Sequence, residues 1–321
     1  TIFKVHLRPF FEDLCHSLFY ERRFCYMEKT ERKDLKKTLW VGLSCLIAFN
    51  IAILQALSIL NPENPDESGV PYFFAVAAEL FIIFVATNKK TQRQLFDVYR
   101  QPTAAKFFQW VCFLGLTQII FSYNSTLIEM LLNFFHLSAQ NQEENATGAN
   151  ETLSMFIYGS FLAPFGEEIL FRGFLLQNFK RYGVRFAIIF SAILFGIYHG
   201  NIVQTPFAFI LGLLLGYITV SYGLKYAIAV HIFNNMVLAD FLDRFLQLFS
   251  ENTATTISTI IMGSLALGGL YYLYRFWHTQ RQKLFAPIDY SVIRSALFNL
   301  PFMILLVICL LEMLAGLTPL H

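Results

Sequence analysis

The chain alternates between long apolar runs and short polar connectors. Apolar runs cover residues 39–60, 70–87, 107–135, 153–179, 184–200, 207–222, 226–249, 257–274 and 298–320. A helix needs about 20 apolar residues to cross a bilayer core, and these runs reach or approach that length. They are continuous rather than alternating with period two, which argues against a membrane β-barrel. The pattern predicts eight to nine transmembrane helices. The connectors alternate in charge. Segments 61–69, 136–152, 200–206 and 250–256 hold no Lys or Arg, while 88–106 holds five, 180–185 three, 223–225 one and 275–294 four. Together with nine in residues 1–37, 22 of the 24 basic residues fall on one side. The positive-inside rule assigns that side, and the N-terminus, to the cytoplasm.

Composition sharpens this picture. The chain has 321 residues, 56% hydrophobic and 17% aromatic, with 14% charged against about 25% in soluble domains. Mean hydropathy is +0.51. The expected class is an all-α polytopic, multi-pass integral membrane protein with the lipid bilayer as a partner and no nucleic-acid role. Cys15, Cys25, Cys45, Cys112 and Cys309 form no CxxC pair, so neither a disulfide framework nor a thiolate metal site is expected. Residues 1–37 mix nine basic and six acidic residues with Phe10, Phe11, Phe19, Tyr20 and Phe24. They predict an amphipathic interfacial segment rather than a cleavable signal peptide, with a solvated tail as the alternative for 28–37. The chain opens on Thr1, which leaves room for an initiator or a longer N-terminus ahead of it.

The resulting division is 1–37 (interfacial segment), 38–152 (accessory helices), 153–249 (a core carrying the unusual polar residues) and 250–321 (C-terminal helices). Gly212 and Gly216, and Ser264 and Gly268, are small-xxx-small pairs expected at helix seams. Arg244 is expected to pair with Asp240 at i,i+4. Asn124, Asn145 and Asn150 begin Asn-x-Ser/Thr triplets, which matter only in a eukaryotic secretory membrane.

Within the core, Pro164-Phe-Gly-Glu-Glu-Ile-Leu-Phe-Arg-Gly173 places Glu167, Glu168 and Arg172 inside an apolar run. Each charge at membrane depth costs at least ~2.5 kcal/mol on insertion scales. Pro-Phe-Gly is expected to break or restart the helix, putting both carboxylates in a first turn where free N–H groups favour negative charge. Glu168 and Arg172 can pair at i,i+4, with Glu167 pointing about 100° away. Two further sites lie in the next spans: Phe195-Gly-Ile-Tyr-His199 and His231-Ile-Phe-Asn-Asn235. Singly, a span histidine or asparagine is interhelical glue, and a Glu–Arg pair is a structural ion pair. Two carboxylates, two imidazoles and a carboxamide on neighbouring spans instead suit hydrolysis by activated water. A Glu near an imidazole can take a proton from water. A second His and an Asn can donate to the oxyanion. The alternative cofactor is Zn²⁺ held by Glu167, His199 and His231, although the HExxH spacing is absent. No serine or cysteine nucleophile context appears.

These three motifs, Glu-Glu-x-x-x-Arg, Phe-x-x-x-His and His-x-x-x-Asn, resemble those of the CAAX-protease and bacteriocin-processing (CPBP, or Abi) family of intramembrane glutamic/metalloproteases. The resemblance covers about 153–249. It implies a conical catalytic bundle and an endopeptidase acting on a peptide or a lipid-modified protein. It makes Glu167 the base that activates water with His199, His231 and Asn235 the oxyanion site, and Glu168 and Arg172 the support; at family level a metalloprotease label and a metal-free glutamate mechanism compete, and no obligatory metal is expected here. Eukaryotic-type members remove the last three residues of prenylated CaaX proteins, and bacterial members are linked to bacteriocin self-immunity and peptide processing. The run Glu-Glu-Ile-Leu-Phe-Arg-Gly-Phe is more similar to the bacterial branch, which implies the plasma (inner) membrane. Other classes consistent with the residues are a non-catalytic membrane scaffold and a proton-coupled transporter.

One geometric demand accompanies this scheme. Along their own spans, His199 lies about 22 Å from the cytoplasmic end and His231 about 9 Å, at 1.5 Å per residue. Both can meet Glu167 only if a helix tilts, starts deeper, or breaks near Gly196 or Gly223.

Overall fold

The computed structural model describes residues 27–147, 152–284 and 288–320. The interfacial segment expected over 1–37 lies mostly outside the described residues, as do Cys15, Cys25 and Asn150. The described chain is helical apart from a two-residue antiparallel pairing of β1 (Leu137–Ser138) with β2 (Thr318–Pro319).

Every apolar run contains a helix. α1 is Lys29–Leu60, α2 Val70–Ala86 and α3 Ala104–Asn133. α4 is a continuous helical run over 153–179, α5 is Val184–Tyr198 and α6 Gln204–Ser221. α7 is a continuous run over 224–246, followed by α8 (Glu251–Leu284), α9 (Tyr290–Leu297) and α10 (Leu300–Ala315).

α1 begins ten residues before the expected span, so 29–37 is neither a separate surface helix nor a tail. No Gly or Pro interrupts 29–41, and a Glu28/Glu31 capping box starts the helix by satisfying backbone N–H groups at its N-terminus. α10 ends at Ala315 rather than 320, because the chain then turns to pair as β2.

Among the described residues four helices are long and apolar enough to cross a membrane: α1, α3, α6 and α8. The α9–α10 pair, bent by 57°, makes a fifth if taken as one span. The remaining runs meet the test less simply. α2 and α5 have 17 and 15 residues. α4 and α7 are interrupted by π turns at Tyr158–Leu162, Ile169–Leu175 and Phe233–Phe241. The fold is thus an all-α polytopic membrane architecture with four to five clear spans, against the eight to nine expected.

The two ends of the bundle separate by connector type. At one end the basic segments meet: Arg181 pairs with Asp34, Tyr182 Oη donates to Glu31 O (2.8 Å), and Tyr99 N donates to Tyr222 O (3.2 Å). At the other end the segments without Lys or Arg meet. Thr152 Oγ1 donates to Glu67 O (2.6 Å), and Asn201 Nδ2 donates to Gln142 O (2.8 Å).

α4 runs through the middle. Residues Glu168 to Leu176 are all buried, under α1, α2, α5, α6 and α7. Small residues let neighbours approach. A Cβ on Gly212 would lie 3.0 Å from Ala192 Cβ and 3.2 Å from Arg172 Nη2, and one on Gly216 would meet Ile188 and Leu176. On the outer flank, α8 packs against α3 so closely that a Cβ on Gly268 would lie 2.8 Å from Cys112 Sγ and one on Gly269 2.6 Å from Cys112 O. Both small-xxx-small pairs are therefore intramolecular seams.

The depth of α7 follows from the turn before it. Gly223 has φ +121, and a Cβ there would lie 2.6 Å from Asp97 O. The 95–99 segment folds beneath this turn, so Leu224 is buried and packs level with Gly173 of α4. α7 starts deeper than the span pattern implies, and His231 reaches the level of Glu168 within two turns.

Candidate active site

The helix does not restart at Pro164. Ala163 N donates to Tyr158 O, five residues back, which makes the π turn that absorbs the proline. The same pattern would send the N–H of residue 164 to Gly159, but proline has none. The Gly159 carbonyl accepts from Asn235 Nδ2 instead, at 3.0 Å. A π turn is a frequent device at functional sites, and here it opens a backbone acceptor for a side chain on α7. Since the helix is continuous, Glu167 and Glu168 sit in its interior and gain nothing from free N–H groups, contrary to expectation.

Their compensation comes from side chains. Glu168 Oε1 accepts from Arg172 Nη1 at 2.8 Å, both residues being 0% exposed. The same oxygen accepts from His231 Nδ1 at 3.1 Å. A carboxylate already bound to guanidinium has no proton to give, so Nδ1 of His231 carries the hydrogen. The guanidinium is also packed on Phe195, with Cζ 4.2 Å from the ring centre, a favourable cation–π distance.

His231 stands between the two carboxylates. Its Nε2 faces Glu167 Oε2 at 3.6 Å. Glu167 keeps 26% of its side chain exposed, whereas Glu168 keeps none. The two adjacent glutamates thus have different surroundings, one sealed and paired, the other open.

His199 caps α5. Its Nδ1 lies 2.7 Å from Phe195 O; a carbonyl only accepts, so Nδ1 donates and Nε2 is left as an acceptor. The Phe195 ring packs edge-on against both imidazoles, with centroids 4.9 Å from His199 and 5.8 Å from His231. The two histidines do reach one region. The pairing differs from that implied by the resemblance, since the imidazole nearest Glu167 is His231 rather than His199. The deep start of α7 is the reason.

Asn235 and Asn234 lie in the π turn of α7. A relay runs from Gln118 Nε2 to Asn234 Oδ1 (3.0 Å), Asn234 Nδ2 to Asn235 Oδ1 (3.1 Å) and Asn235 Nδ2 to Gly159 O. It orients the Asn235 carboxamide and leaves one of its N–H bonds uncommitted. Arg244 and Asp240 form their i,i+4 pair farther along α7.

Glu167, His199 and His231 do not form a ligand set. Among the described residues no group of three or more His, Cys, Asp or Glu side chains is arranged to hold a metal ion. The zinc alternative finds no preformed donor cluster among them.

Sequence reasoning missed Glu79, Tyr198 and Gln118. Tyr198 Oη donates to Glu79 Oε1 at 3.2 Å. Glu79 is the single charged residue of 70–87, and a carboxyl in an apolar run carries the same insertion cost that marks Glu167. That signal was available. Gln118, an amide in the α3 span, carried a weaker one.

Residues 149–237 match the model of the Rce1-like family, described as type II CAAX prenyl endopeptidase Rce1-like. The match ends two residues after Asn235 and contains all three motifs. It bears out the resemblance to CAAX-type proteases over that segment, consistent with a membrane-embedded protease family. No curated protein and no solved structure matched the chain.

Proposed function

We propose that this protein is an intramembrane endopeptidase that hydrolyses a peptide bond near the lipid-modified end of a membrane-associated protein, of the prenylated CaaX type. The observation that carries this is the division of the diacid: Glu168 is sealed with Arg172 and His231, while Glu167 stays open beside an imidazole. A structural ion pair needs only one glutamate.

In this mechanism Glu167 takes a proton from water as the water oxygen attacks the scissile carbonyl. His199 Nε2, an available acceptor, orients that water. The oxyanion is met by the free N–H of Asn235, with the His231 ring beside it. Glu168 and Arg172 hold His231 through Nδ1. Collapse of the tetrahedral intermediate breaks the C–N bond, and the proton on Glu167 passes to the leaving amine. The carboxyl product and the amine together account for the added water.

The nine-span arrangement, with the basic connectors and the N-terminus in the cytoplasm, belongs to the same proposal. It is supported by the clustering of basic segments at one end of the bundle.

The test is cleavage of a farnesylated CaaX peptide by the purified protein in liposomes, with the released tripeptide identified by mass. Wild-type protein is expected to release it, and Glu167→Gln to be slower by about 10²–10⁴-fold, the usual worth of a general base. A metal chelator is expected to leave the rate unchanged. Glu167→Gln protein with the wild-type rate would exclude the mechanism, and a chelator-sensitive rate restored by zinc would favour the metal alternative.

A further inference from the structure

Beyond the three motifs, α2 sends one charged side chain into the bundle. Glu79 is 3% exposed, and on the same face Val76 and Ile83 are apolar and buried. A third apolar residue would pack there at no insertion cost, so the carboxyl calls for another role. Its two oxygens reach two parts of the site. Oε1 accepts from Tyr198, the residue immediately before His199. Oε2 lies against Gly166, the residue immediately before Glu167, where an added Cβ would be 3.4 Å from it and 3.1 Å from Val76 Cγ1. Gly166 therefore provides the room in which α2 meets the diacid turn. Tyr198 in turn packs edge-on against Phe171 (5.2 Å), which packs on Phe195 (5.1 Å). Phe195 is the ring between the two imidazoles.

The groups the geometry sets against Glu79 are the Tyr198 hydroxyl from α5 and Gly166 of α4. Among the described residues no Lys, Arg or His forms an ion pair with it. Its hydrogen-bond partner is the Tyr198 hydroxyl, and its other oxygen packs beside the α4 turn at Gly166, which is the arrangement of a clamp rather than of a charge pair.

We infer that Glu79 is a positioning residue of the site, clamping the His199 end of α5 to the Glu167 turn of α4 through the Tyr198 hydroxyl. This rests on the endopeptidase proposal and adds a third carboxyl, on an element outside the matched segment, to its machinery. α2 then contributes to catalysis by fixing the distance between the helix that supplies the base and the helix that ends in His199.

The experiment compares full-length Glu79→Leu, Glu79→Gln, Tyr198→Phe and the Glu79→Leu/Tyr198→Phe double variant, in liposomes with a farnesylated CaaX peptide. Glu79→Leu and Tyr198→Phe are each expected to lower kcat by about 10²-fold, the scale of a small misplacement of reacting groups, with KM little changed. The double variant is expected to be no slower than the worse single variant, as coupled residues are non-additive. Glu79→Gln, whose amide oxygen still accepts from Tyr198, is expected to keep most of the rate. A second readout does not depend on turnover: in protein labelled at histidine, Tyr198→Phe should move the imidazole resonances of His199 and leave those of His231 in place. Wild-type kcat in Tyr198→Phe, additive losses, Glu79→Gln as slow as Glu79→Leu, or unmoved His199 resonances would each overturn the inference. If Glu79→Leu does not fold, Tyr198→Phe and Glu79→Gln decide it. If wild-type protein cleaves nothing while His199 still responds to Tyr198→Phe, the endopeptidase proposal fails and the clamp stands.

Discussion

α4 and α8 are opposite solutions to living in a bilayer. α8 is a single unbroken helix of 34 residues that presents Leu267, Tyr271 and Tyr274 outward and touches the bundle mainly through its seam with α3. α4 carries Glu167, Glu168 and Arg172, contains two π turns, and is enclosed through its second half. Irregular backbone and charge are tolerated at membrane depth only where protein groups satisfy them. α8 has no such neighbours on its outer face and stays regular. α4 has several: His231 on Glu168 and Asn235 on the Gly159 carbonyl from α7, and Phe195 on Arg172 from α5, although Glu168 Oε2 and Arg172 Nε and Nη2 make no hydrogen bond. Hydropathy locates both runs, and it is the polar motif that sets α4 apart as the place of the chemistry.

The contrast can be broken by substitution, and the losses should fall in a definite order. Arg172→Leu leaves Glu168 as a buried carboxylate without its guanidinium, and should destabilise the protein by about 3–5 kcal/mol, read as loss of folded protein in denaturant or thermal melts. Asn235→Ala removes a proposed oxyanion donor and the ligand of the Gly159 carbonyl. It should lower kcat by about 10²–10³-fold in the peptide assay. Gly269→Val forces a side chain into the α3–α8 seam and should cost about 1–3 kcal/mol, with cleavage by the folded fraction unaffected. Leu267→Ala, on the outward face of the same helix, should change stability by about 0.5 kcal/mol or less. Equal sensitivity at Leu267 and Arg172 would abolish the distinction between the two helices.

What the sequence made legible tracks the same difference. Periodicity and charge alternation located every apolar run, and they grouped the connectors as the bundle ends do. The motifs named the polar residues that α4, α5 and α7 bring together. The failures are local and share a cause: neighbours in space decide them. Pro164 signals a helix restart, but the π turn at Tyr158–Leu162 carries the helix past it. The depths of His199 and His231 look incompatible until the 95–99 segment folds under Gly223. The pairing of His231 with both glutamates depends on that shift. α1 extends back to Lys29 because nothing between the charged segment and the apolar one breaks a helix. Glu79 was visible as a lone charge in an apolar run, but no motif drew attention to it.

The most direct measurement sets the two adjacent glutamates against each other. Glu167→Gln and Glu168→Gln would be purified in parallel, and each assayed for thermal stability and for cleavage of the farnesylated CaaX peptide. Glu167→Gln is expected to melt close to wild type and to lose about 10²–10⁴-fold in kcat. Glu168→Gln, which leaves Arg172 buried without its carboxylate, is expected to lose stability by about 3–5 kcal/mol. Full cleavage by Glu167→Gln, or a wild-type melting temperature in Glu168→Gln, would contradict the division between an open working carboxylate and a sealed supporting one.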